Sequence, residues 1–436
     1  MGGAGIDSGA FGMRRALLIA CCALASSLAW SAQDHSAVLA QLRLPPVPAT
    51  RTVIAALPQV NAARAGVALA QARGQRLQAG AHEWVLKAGT QQRSESSGQR
   101  YTEAEFALER GIRWGGKAQT DSALAAAGVA VGEFAYADVW HEAVRALLQA
   151  WYEWQRARSA MQVLSSSSAL AQEQLAVAAR RVRAGDAPRM EQLMAQAEVE
   201  RAQAALALAR GRAQVLLQNL RQRFPGLQVA ESDDPPRAEA PNLQLPGALA
   251  DWRKRLIDDN HEVELMEAEV RVARLQSQRV QQEGRPDPLL GVRASRERGG
   301  LESVLGVYLA IPLAGAQRQA DQGAALALLE AAEQRLLQTR QKVEANADTV
   351  LLQMSHSNAV AQRLHSVQQV MSEVAQLTAK AYALGELTLT EALQARRNAL
   401  EAHLGAQAAR WDTQEALARV LVDAHQLWPA EEDAHH

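Results

Sequence analysis

The sequence KAYALGELTLTEALQA at residues 380–395 has a weaker copy, RRVRAGDAPRMEQLMA, at residues 180–195. In each copy a helical run meets a glycine followed by an acid, and a second helical run then begins. The spacing that carries Gly185 onto Gly385 also carries Glu191 onto Glu391. A glycine between two helical runs is typical of two helices joined by a tight turn. The chain is therefore predicted to be a two-fold duplication.

The placement of proline predicts two very long helices. After Pro58 the next proline is Pro188, and after Pro312 the next is Pro429. A proline inside a helix costs about 3 kcal/mol, so these stretches permit uninterrupted helices. We expect helices at residues 117–183 and 318–384, each about 100 Å long. After each glycine turn a shorter helix is expected to return, ending near residues 223 and 428.

The segments before the long helices alternate between apolar and polar residues, which predicts strands. They lie at about residues 82–93 and 101–112 in the first half and 287–297 and 303–313 in the second. Strands of about 9 to 11 residues can cross a membrane when tilted. Four strands leave open edges, so in a membrane they would need copies from other subunits. Trp84, Tyr101 and Tyr308 are candidate anchors at the membrane interface.

Glycine and proline mark where the strands end and the long helices begin. Gly115 and Gly116 follow the first hairpin, and Pro312 and Gly315 follow the second. We interpret these four residues as the transition between the strand module and the helices.

Residues 1–32 have the features of an export signal: the basic Met13-Arg14-Arg15, an apolar run and small residues near a cleavage point. Cys21 could instead be the lipidated cysteine of a lipoprotein, although the apolar run before it is short. Both cysteines lie in this segment, so the rest of the chain has no thiol for a disulfide or a thiolate metal site. No later run reaches about 18 apolar residues, and no transmembrane helix is expected.

The remaining chain divides into an extended lead-in at residues 33–52, a first repeat at 53–225, a linker at 226–250, a second repeat at 251–428 and an acidic tail at 429–436. The fold class is mainly α with a small β module, in two halves that each run helix, hairpin, helix. The formal net charge of −1 argues against a nucleic-acid-binding protein.

This organisation resembles the TolC family of outer-membrane efflux ducts. The residues that carry the resemblance are Tyr382-Ala383-Leu384-Gly385, then Glu391 and Leu393, together with Ile311-Pro312-Leu313 at the end of the last strand. The resemblance implies a homotrimer in which twelve strands, four per subunit, form one barrel in outer-membrane lipid. It also implies a hollow periplasmic helical barrel that is constricted at the glycine turns. The implied partners are a periplasmic adaptor (membrane fusion) protein and an inner-membrane pump, of the RND type.

The family's aperture residues match this sequence in part. Tyr382 corresponds to an aromatic gate residue and Glu391 to an acidic one. Where family members can hold an arginine and a second acid, this chain has Leu387 and Gln394. Arg189 and Glu191 in the first half could take over their role.

Glu391 has two interpretations. In a trimer it would form a ring of three carboxylates, or of six with Glu191, and such a ring in a water-filled tube favours cations. Alternatively, each glutamate complements the dipole in the first turn of its helix.

Segments such as NHEVELMEAEVRVA, Arg285-Pro286-Asp287-Pro288 and Glu83-Trp84 resemble the heavy-metal branch (cobalt, zinc, cadmium) of the family. The residues leave three functions open: an efflux duct, a type I protein secretion duct and a soluble periplasmic coiled-coil adaptor or scaffold.

No enzyme activity, cofactor or metal site is predicted. His82-Glu83, His141-Glu142 and His261-Glu262 each lack the second histidine of a metalloprotease motif. His435 and His436 in the tail are expected to be solvated.

Overall fold

The structure is a computed structural model of the chain, and it describes residues 39, 41–229, 243, 245–313 and 315–430. The expected export signal with Cys21, most of the linker and tail residues 431–436 lie outside the described residues. The described chain forms two compact units. The tip unit contains the residues up to Ala55, His141–Asp258 and those from Asn346 onwards. The sheet unit contains Ala56–Trp140 and Asp259–Ala345.

The elements follow the predicted order in both halves. They are α1 (Val47–Ala55), α2 (Pro58–Ala79), β1 (Val85–Ser94), β2 (Arg100–Gly111), α3 (Lys117–Ala184), α4 (Arg189–Arg223), α5 (Leu249–Asp258), α6 (His261–Gln282), β3 (Leu289–Glu297), a 3-10 turn (Arg298–Gly300), β4 (Glu302–Ala310), α7 (Ala316–Leu384) and α8 (Leu389–Asp423). This mainly helical chain with a small antiparallel sheet confirms the predicted fold class.

The duplication is visible in the helix lengths. Helices α3 and α7 have 68 and 69 residues, and the returning helices α4 and α8 have 35 residues each. Helix α8 ends at Asp423, before the expected end near Trp428. There Gln426 donates its backbone N–H to the Leu421 carbonyl, and His425 takes a positive φ of 57°. A residue with positive φ at this position closes a helix, so the helix cannot continue to Trp428.

The start of the chain differs from the extended lead-in expected at residues 33–52, because helix α1 begins at Val47. Thr50 donates both its backbone N–H (3.0 Å) and its hydroxyl (2.9 Å) to the Pro46 carbonyl. The first turn of a helix tolerates proline, since its N–H groups have no helical partner there. A proline-rich segment can therefore start a helix.

The four strands form one antiparallel sheet in the order β1-β2-β3-β4. β1 begins three residues later than expected, at Val85, and β2 one residue earlier, at Arg100. The middle pair, β2 and β3, joins the two halves of the duplicated chain: Phe106 lies opposite Ala294, and Leu108 lies opposite Val292. β1 and β4 are the edges of the sheet within one chain.

One face of this sheet is apolar and exposed. A row of apolar residues crosses all four strands in register, from Leu86 to Leu108, Val292 and Val307. All four side chains are exposed, Val307 to 79%. A contiguous exposed apolar surface of this kind is typical of a surface that contacts protein or lipid.

The opposite face is charged. It carries five glutamates and three basic residues: Glu103, Glu105, Glu109, Glu297, Glu302, Lys87, Arg93 and Arg293. Lys87 pairs with Glu109 over 2.7 Å, and Arg93 pairs with Glu103 over 2.8 Å. Tyr308 also lies on this face, where its hydroxyl donates to Glu109. Tyr101 shares the face, because it lies opposite Arg93. The expected anchoring role of these two tyrosines therefore does not fit their position.

Helix α3 differs from the expectation that no helix could span a membrane. It contains an 18-residue window with a mean hydropathy of 1.2 and no more than two charged residues, and 22% of that window is buried. The expectation rested on unbroken apolar runs, whereas an average tolerates isolated charges. Helices in the core of soluble proteins also contain apolar windows of this kind.

Candidate functional site

The two glycine turns of the tip unit have the same backbone geometry. Gly185 and Gly385 have φ angles of 81° and 84°. In the first turn Asp186 donates its backbone N–H to the Arg181 carbonyl (3.0 Å), and in the second Glu386 donates to Ala381 (2.9 Å). Only glycine adopts this left-handed conformation without a steric penalty, which explains why both copies have it here.

Tyr382 connects the two halves of the chain next to these turns. Its hydroxyl, on α7, donates a hydrogen bond to the Glu191 carboxylate, on α4, over 2.9 Å. The Arg181 guanidinium, on α3, lies over the Tyr382 ring at 4.8 Å and donates to the Tyr382 backbone carbonyl over 2.9 Å. Three helices from both repeats therefore meet at one buried aromatic side chain.

The electrostatics of this contact follow from burial and charge. Burial, followed by the neighbouring Glu191 carboxylate, raises the pKa of Tyr382 to about 12. The phenol is therefore protonated at neutral pH and available as a donor. Arg181 acts in the opposite direction, because its positive charge favours the phenolate.

Small and apolar side chains surround Tyr382. The buried cluster also contains Ala178, Ala195, Leu389 and Leu393, and Met194 packs against it. Leu193 is the counterpart of Leu393 in the first repeat, yet 55% of Leu193 is exposed and 5% of Leu393. Both repeats thus contribute to the core at the turns, but Leu393 is part of it whereas Leu193 is at the surface.

Glu391 occupies the first turn of α8. Its carboxylate accepts hydrogen bonds from the backbone N–H and the hydroxyl of Thr388, each over 2.8 Å, and the Thr388 hydroxyl accepts from the Glu391 N–H. This reciprocal pair is a capping box. The Thr388 N–H, followed by its hydroxyl, lowers the pKa of Glu391. The residue therefore stabilises the helix start and carries a negative charge on an exposed side chain.

The other expected aperture residues lie nearby but make different contacts. Gln394 is exposed and donates to Asn398 over 2.9 Å. Arg189 is exposed at the start of α4. We expected Arg189 and Glu191 to act as a substitute pair, but the arginine beside the Tyr382 and Glu191 contact is Arg181.

Four residues of this region were not predicted from the sequence: Arg181, Thr388, Glu198 and Arg397. The sequence does not distinguish Arg181 from the neighbouring arginines Arg180 and Arg183. Thr388 and Glu391 do form the T-x-x-E signature of a capping box, which could have been found. Glu198 and Arg397 pair over 2.5 Å between α4 and α8, and this contact is not encoded by any local spacing.

In the sheet unit, the expected transition residues adjoin a network of charges. Gly115 and Gly116 have φ angles of 67° and 83° and lead directly into α3. The next residue, Lys117, is fully buried, and its ammonium group pairs with Asp287 over 2.8 Å and with Glu283 over 3.1 Å. In the second half, Gly315 starts α7 by accepting a hydrogen bond from the Arg318 N–H.

The histidines have structural contacts. His82 pairs with Asp287 over 2.8 Å, His261 with Glu264 over 3.0 Å, and His141 lies 3.2 Å from the Val422 carbonyl. Within the described residues, no group of three or more His, Cys, Asp or Glu side chains could hold a metal ion. His435 and His436 lie outside these residues.

Several solved structures share this architecture. The outer membrane protein VceC from Vibrio cholerae is 15% identical with a TM-score of 0.70, covering 87% of this chain and 94% of VceC. The MtrE outer membrane channel of Neisseria gonorrhoeae, in its open state, is 13% identical with a TM-score of 0.69, covering 87% and 90%. The outer membrane channel CmeC of Campylobacter jejuni is 13% identical with a TM-score of 0.65, covering 89% and 87%.

This chain has the fold of the outer-membrane channels. The match extends over 87% of this chain with VceC and with MtrE. No protein-family model and no curated protein sequence matches the chain. At these low identities the shared feature is the outer-membrane-channel fold, and the residues of each site have to be argued from this chain itself.

Proposed function

We propose that this chain is the outer-membrane channel of a tripartite efflux system, a passive exit duct made of three copies. One observation carries the proposal: the four-stranded sheet combines two open edges with an exposed apolar face and a charged face. A sheet in lipid has to close on itself, because unpaired backbone groups are too costly there. Three copies would close it into a barrel of twelve strands with lipid outside and water inside.

The proposed location is the outer membrane, with the helices of the tip unit in the periplasm. The strands have 9 to 12 residues, which is the length needed to cross a bilayer when tilted. Outer-membrane barrels alternate apolar residues outwards and polar residues inwards, as this sheet does. The solved structures of similar fold are described as outer membrane proteins and channels.

We place the closed end of the duct at the glycine turns. Tyr382, Glu191, Glu391, Gln394 and Arg189 would surround the opening, with Gly185 and Gly385 at its rim. Support comes from the Tyr382 to Glu191 hydrogen bond, which ties together helices of both repeats. In this proposal the duct opens when that contact breaks.

The partners would be a periplasmic adaptor protein and an inner-membrane pump of the RND type, which supplies the energy. Met190 and Leu193 on the first repeat and Leu384 on the second support this, because they are exposed apolar residues next to the turns. An adaptor that covers them would remove apolar surface from water.

The proposed cargo is heavy-metal cations. The sequence resemblance to the heavy-metal branch supports it, as does the excess of glutamate on the charged face of the sheet. A lumen lined by carboxylates favours cations over anions. A bacterial strain without its own duct should regain growth in zinc, cobalt or cadmium when this chain and its pump are expressed. Rescue against organic drugs alone would point to another cargo, and secretion of a protein would favour a type I secretion duct.

Conductance in a planar bilayer tests the duct itself. The purified protein, extracted in detergent and shown to be a trimer by mass, should give discrete cation-selective current steps. A monomer that stays soluble without detergent and gives no current would support the soluble scaffold instead.

A matched pair of substitutions tests the orientation of the sheet. Val307 lies on the apolar face. Val304 lies on the charged face, because it is two positions before Gly306, which lies opposite Arg293. Val307→Arg should prevent membrane assembly, because an arginine facing lipid costs about 2 to 4 kcal/mol at the midplane. Val304→Arg should assemble and reduce the cation preference. If both variants assemble in the membrane equally well, the result would contradict the proposed barrel.

A further inference from the structure

A groove of about 420 Å³ lies within the tip unit between α3, α7 and α8. Most of its wall is apolar and includes Val163, Leu170, Val177, Ala375 and Leu400. Ligand sites in proteins usually have volumes of about 300 to 1,000 Å³ and apolar walls with a few polar groups. The size and the lining of this groove fall in that class.

Arg396 is the cation in this wall, and it is 9% exposed. Its guanidinium donates to the Gln174 side-chain oxygen over 2.6 Å and to the Ser167 backbone carbonyl over 3.1 Å. Both acceptors are uncharged, and in the described part of the chain no carboxylate lies within ion-pair distance of Arg396. The next residue, Arg397, is different: it is exposed and pairs with Glu198 over 2.5 Å.

A buried charge with no direct ion pair is unfavourable, and the Arg396 guanidinium is buried with hydrogen bonds to neutral acceptors. Burial lowers the pKa of this guanidinium. The Glu198 carboxylate, which is paired with Arg397, opposes that shift, and the positive charge of Arg397 adds to it. Three of the five N–H donors of an arginine remain after these two hydrogen bonds. The groove therefore has a positive charge that an anion would compensate.

The other titratable groups in the lining do not supply that anion. Glu173 is exposed to solvent. Burial lowers the pKa of His403, which therefore stays uncharged at neutral pH. Ser166 and Ser372 add hydroxyl groups to the wall.

We propose that this groove binds an amphipathic monocarboxylate. The carboxylate would pair with Arg396, whose planar fork suits two parallel hydrogen bonds. The apolar body would lie against Leu170 and Leu400 and leave water. Apolar walls alone would accept any lipophilic molecule, whereas the buried guanidinium selects one with a negative head group.

The test is titration calorimetry with decanoate on the purified full-length protein in lipid nanodiscs, with empty nanodiscs as the background. Decanoate should bind at one site per chain. Decanol, which has the same alkyl chain and no charge, should bind at least roughly tenfold more weakly, as expected for loss of a charged hydrogen bond. Arg396→Gln should weaken decanoate binding by a similar factor. Arg397→Lys, which keeps a positive charge beside Glu198, should leave it unchanged.

A second variant covers the case in which Arg396→Gln does not fold. Ala399→Trp places an indole in the groove and should abolish decanoate binding while circular dichroism and the mass of the assembly stay unchanged. Equal affinities for decanoate and decanol would overturn the proposal, and so would wild-type binding by Arg396→Gln. A groove covered by a second copy of the chain would take up no decanoate, which would overturn it as well.

The site does not depend on the proposed duct. A protein that conducts ions but does not bind decanoate would refute this site alone. A protein that binds decanoate and gives no current would refute the duct and leave the site intact.

Discussion

The Tyr382 hydroxyl donates a hydrogen bond to Glu191 over 2.9 Å, although the two residues belong to different repeats and are 191 positions apart in the chain. The phenol ring is buried, and Arg181 lies over it at 4.8 Å. This contact joins α7 to α4 beside both glycine turns. Anything that separates the two repeats at the turns has to break it.

Removing the Tyr382 hydroxyl tests this relationship. Tyr382→Phe should lower the free energy of unfolding by about 1 kcal/mol, the usual contribution of one hydrogen bond. If the turns close the duct, the variant should also pass more current in a bilayer at neutral pH. Tyr136→Phe is the control, because its hydroxyl contacts Arg64 in the sheet unit. Equal effects of both variants would show that Tyr382 has no special role.

The raised pKa of Tyr382 predicts a loss of stability in alkali. The pKa is about 12 in the folded protein and 10.0 for an ordinary tyrosine, so the folded state holds this proton more tightly. The stabilisation is complete below pH 10 and should disappear as the pH rises towards 12. Urea unfolding at several pH values should show a smaller decline for Tyr382→Phe than for the wild type. Identical pH profiles would contradict the prediction.

Glu391 can be tested for capping and for a role in the pore with two variants. Thr388→Ala removes the capping hydroxyl and should cost about 1 kcal/mol. Glu391→Gln keeps a side-chain oxygen that can accept from the Thr388 N–H, but it has no charge. If Glu391 lines the opening, this variant should reduce block of the current by divalent cations while the protein stays stable. If the block of the current by divalent cations is unchanged, the role of Glu391 is limited to capping the helix.

The turn glycines should resist substitution for a conformational reason. Gly185→Ala and Gly385→Ala should each lower the free energy of unfolding by roughly 1 kcal/mol, because alanine is strained at their positive φ. No atom within 4 Å of Gly185 would clash with an added methyl group. Gly405→Ala is the matched control, since this glycine is inside α8 with open space around it. There alanine should stabilise the protein by about 0.5 to 1 kcal/mol.

Lys117 is expected to be essential for the charge network beside the strands. Lys117→Met leaves Asp287 and Glu283 without their shared cation and should cost roughly 3 kcal/mol, as for other broken buried pairs. Lys342→Met is the control, because Lys342 is exposed and pairs with Glu262 over 2.7 Å. Exposed pairs contribute less than about 1 kcal/mol. Thermal melts of both variants in detergent would compare the two costs, and similar melting shifts would argue against the network.

Local chemistry made the elements of this fold predictable. Gly185 and Gly385 mark turns because their backbone conformation excludes other residues. Long proline-free stretches allow the 68- and 69-residue helices, and alternation along a strand reports its two faces directly. The errors arose where two local patterns competed: prolines near Val47 indicated an extended chain, but proline is also accepted in the first turn of a helix.

The candidate site was only half predictable. Tyr382 and Glu191 were both identified, yet as separate residues and with Arg189 as the expected basic partner. Their hydrogen bond, and the position of Arg181 over the ring, depend on how two distant helices pack. Arg396 and Arg397 show the same limit, because adjacent arginines in the sequence differ completely in burial and in charge pairing.

The sequence by itself determined where this chain turns, where its long helices and its strands lie, and that its two halves repeat one design. These properties depend on the backbone conformation of single residues and on the spacing of apolar residues, which repeats every two residues in a strand and every 3.6 in a helix. Both are set by residues that are close together in the sequence. Only the tertiary structure decided that Tyr382 pairs with Glu191, that Glu103 and Glu109 share a face with Lys87, and that Arg396 is buried beside an apolar groove. Such contacts join residues that are far apart in the chain, and their energies depend on distance and desolvation, which a linear sequence does not contain.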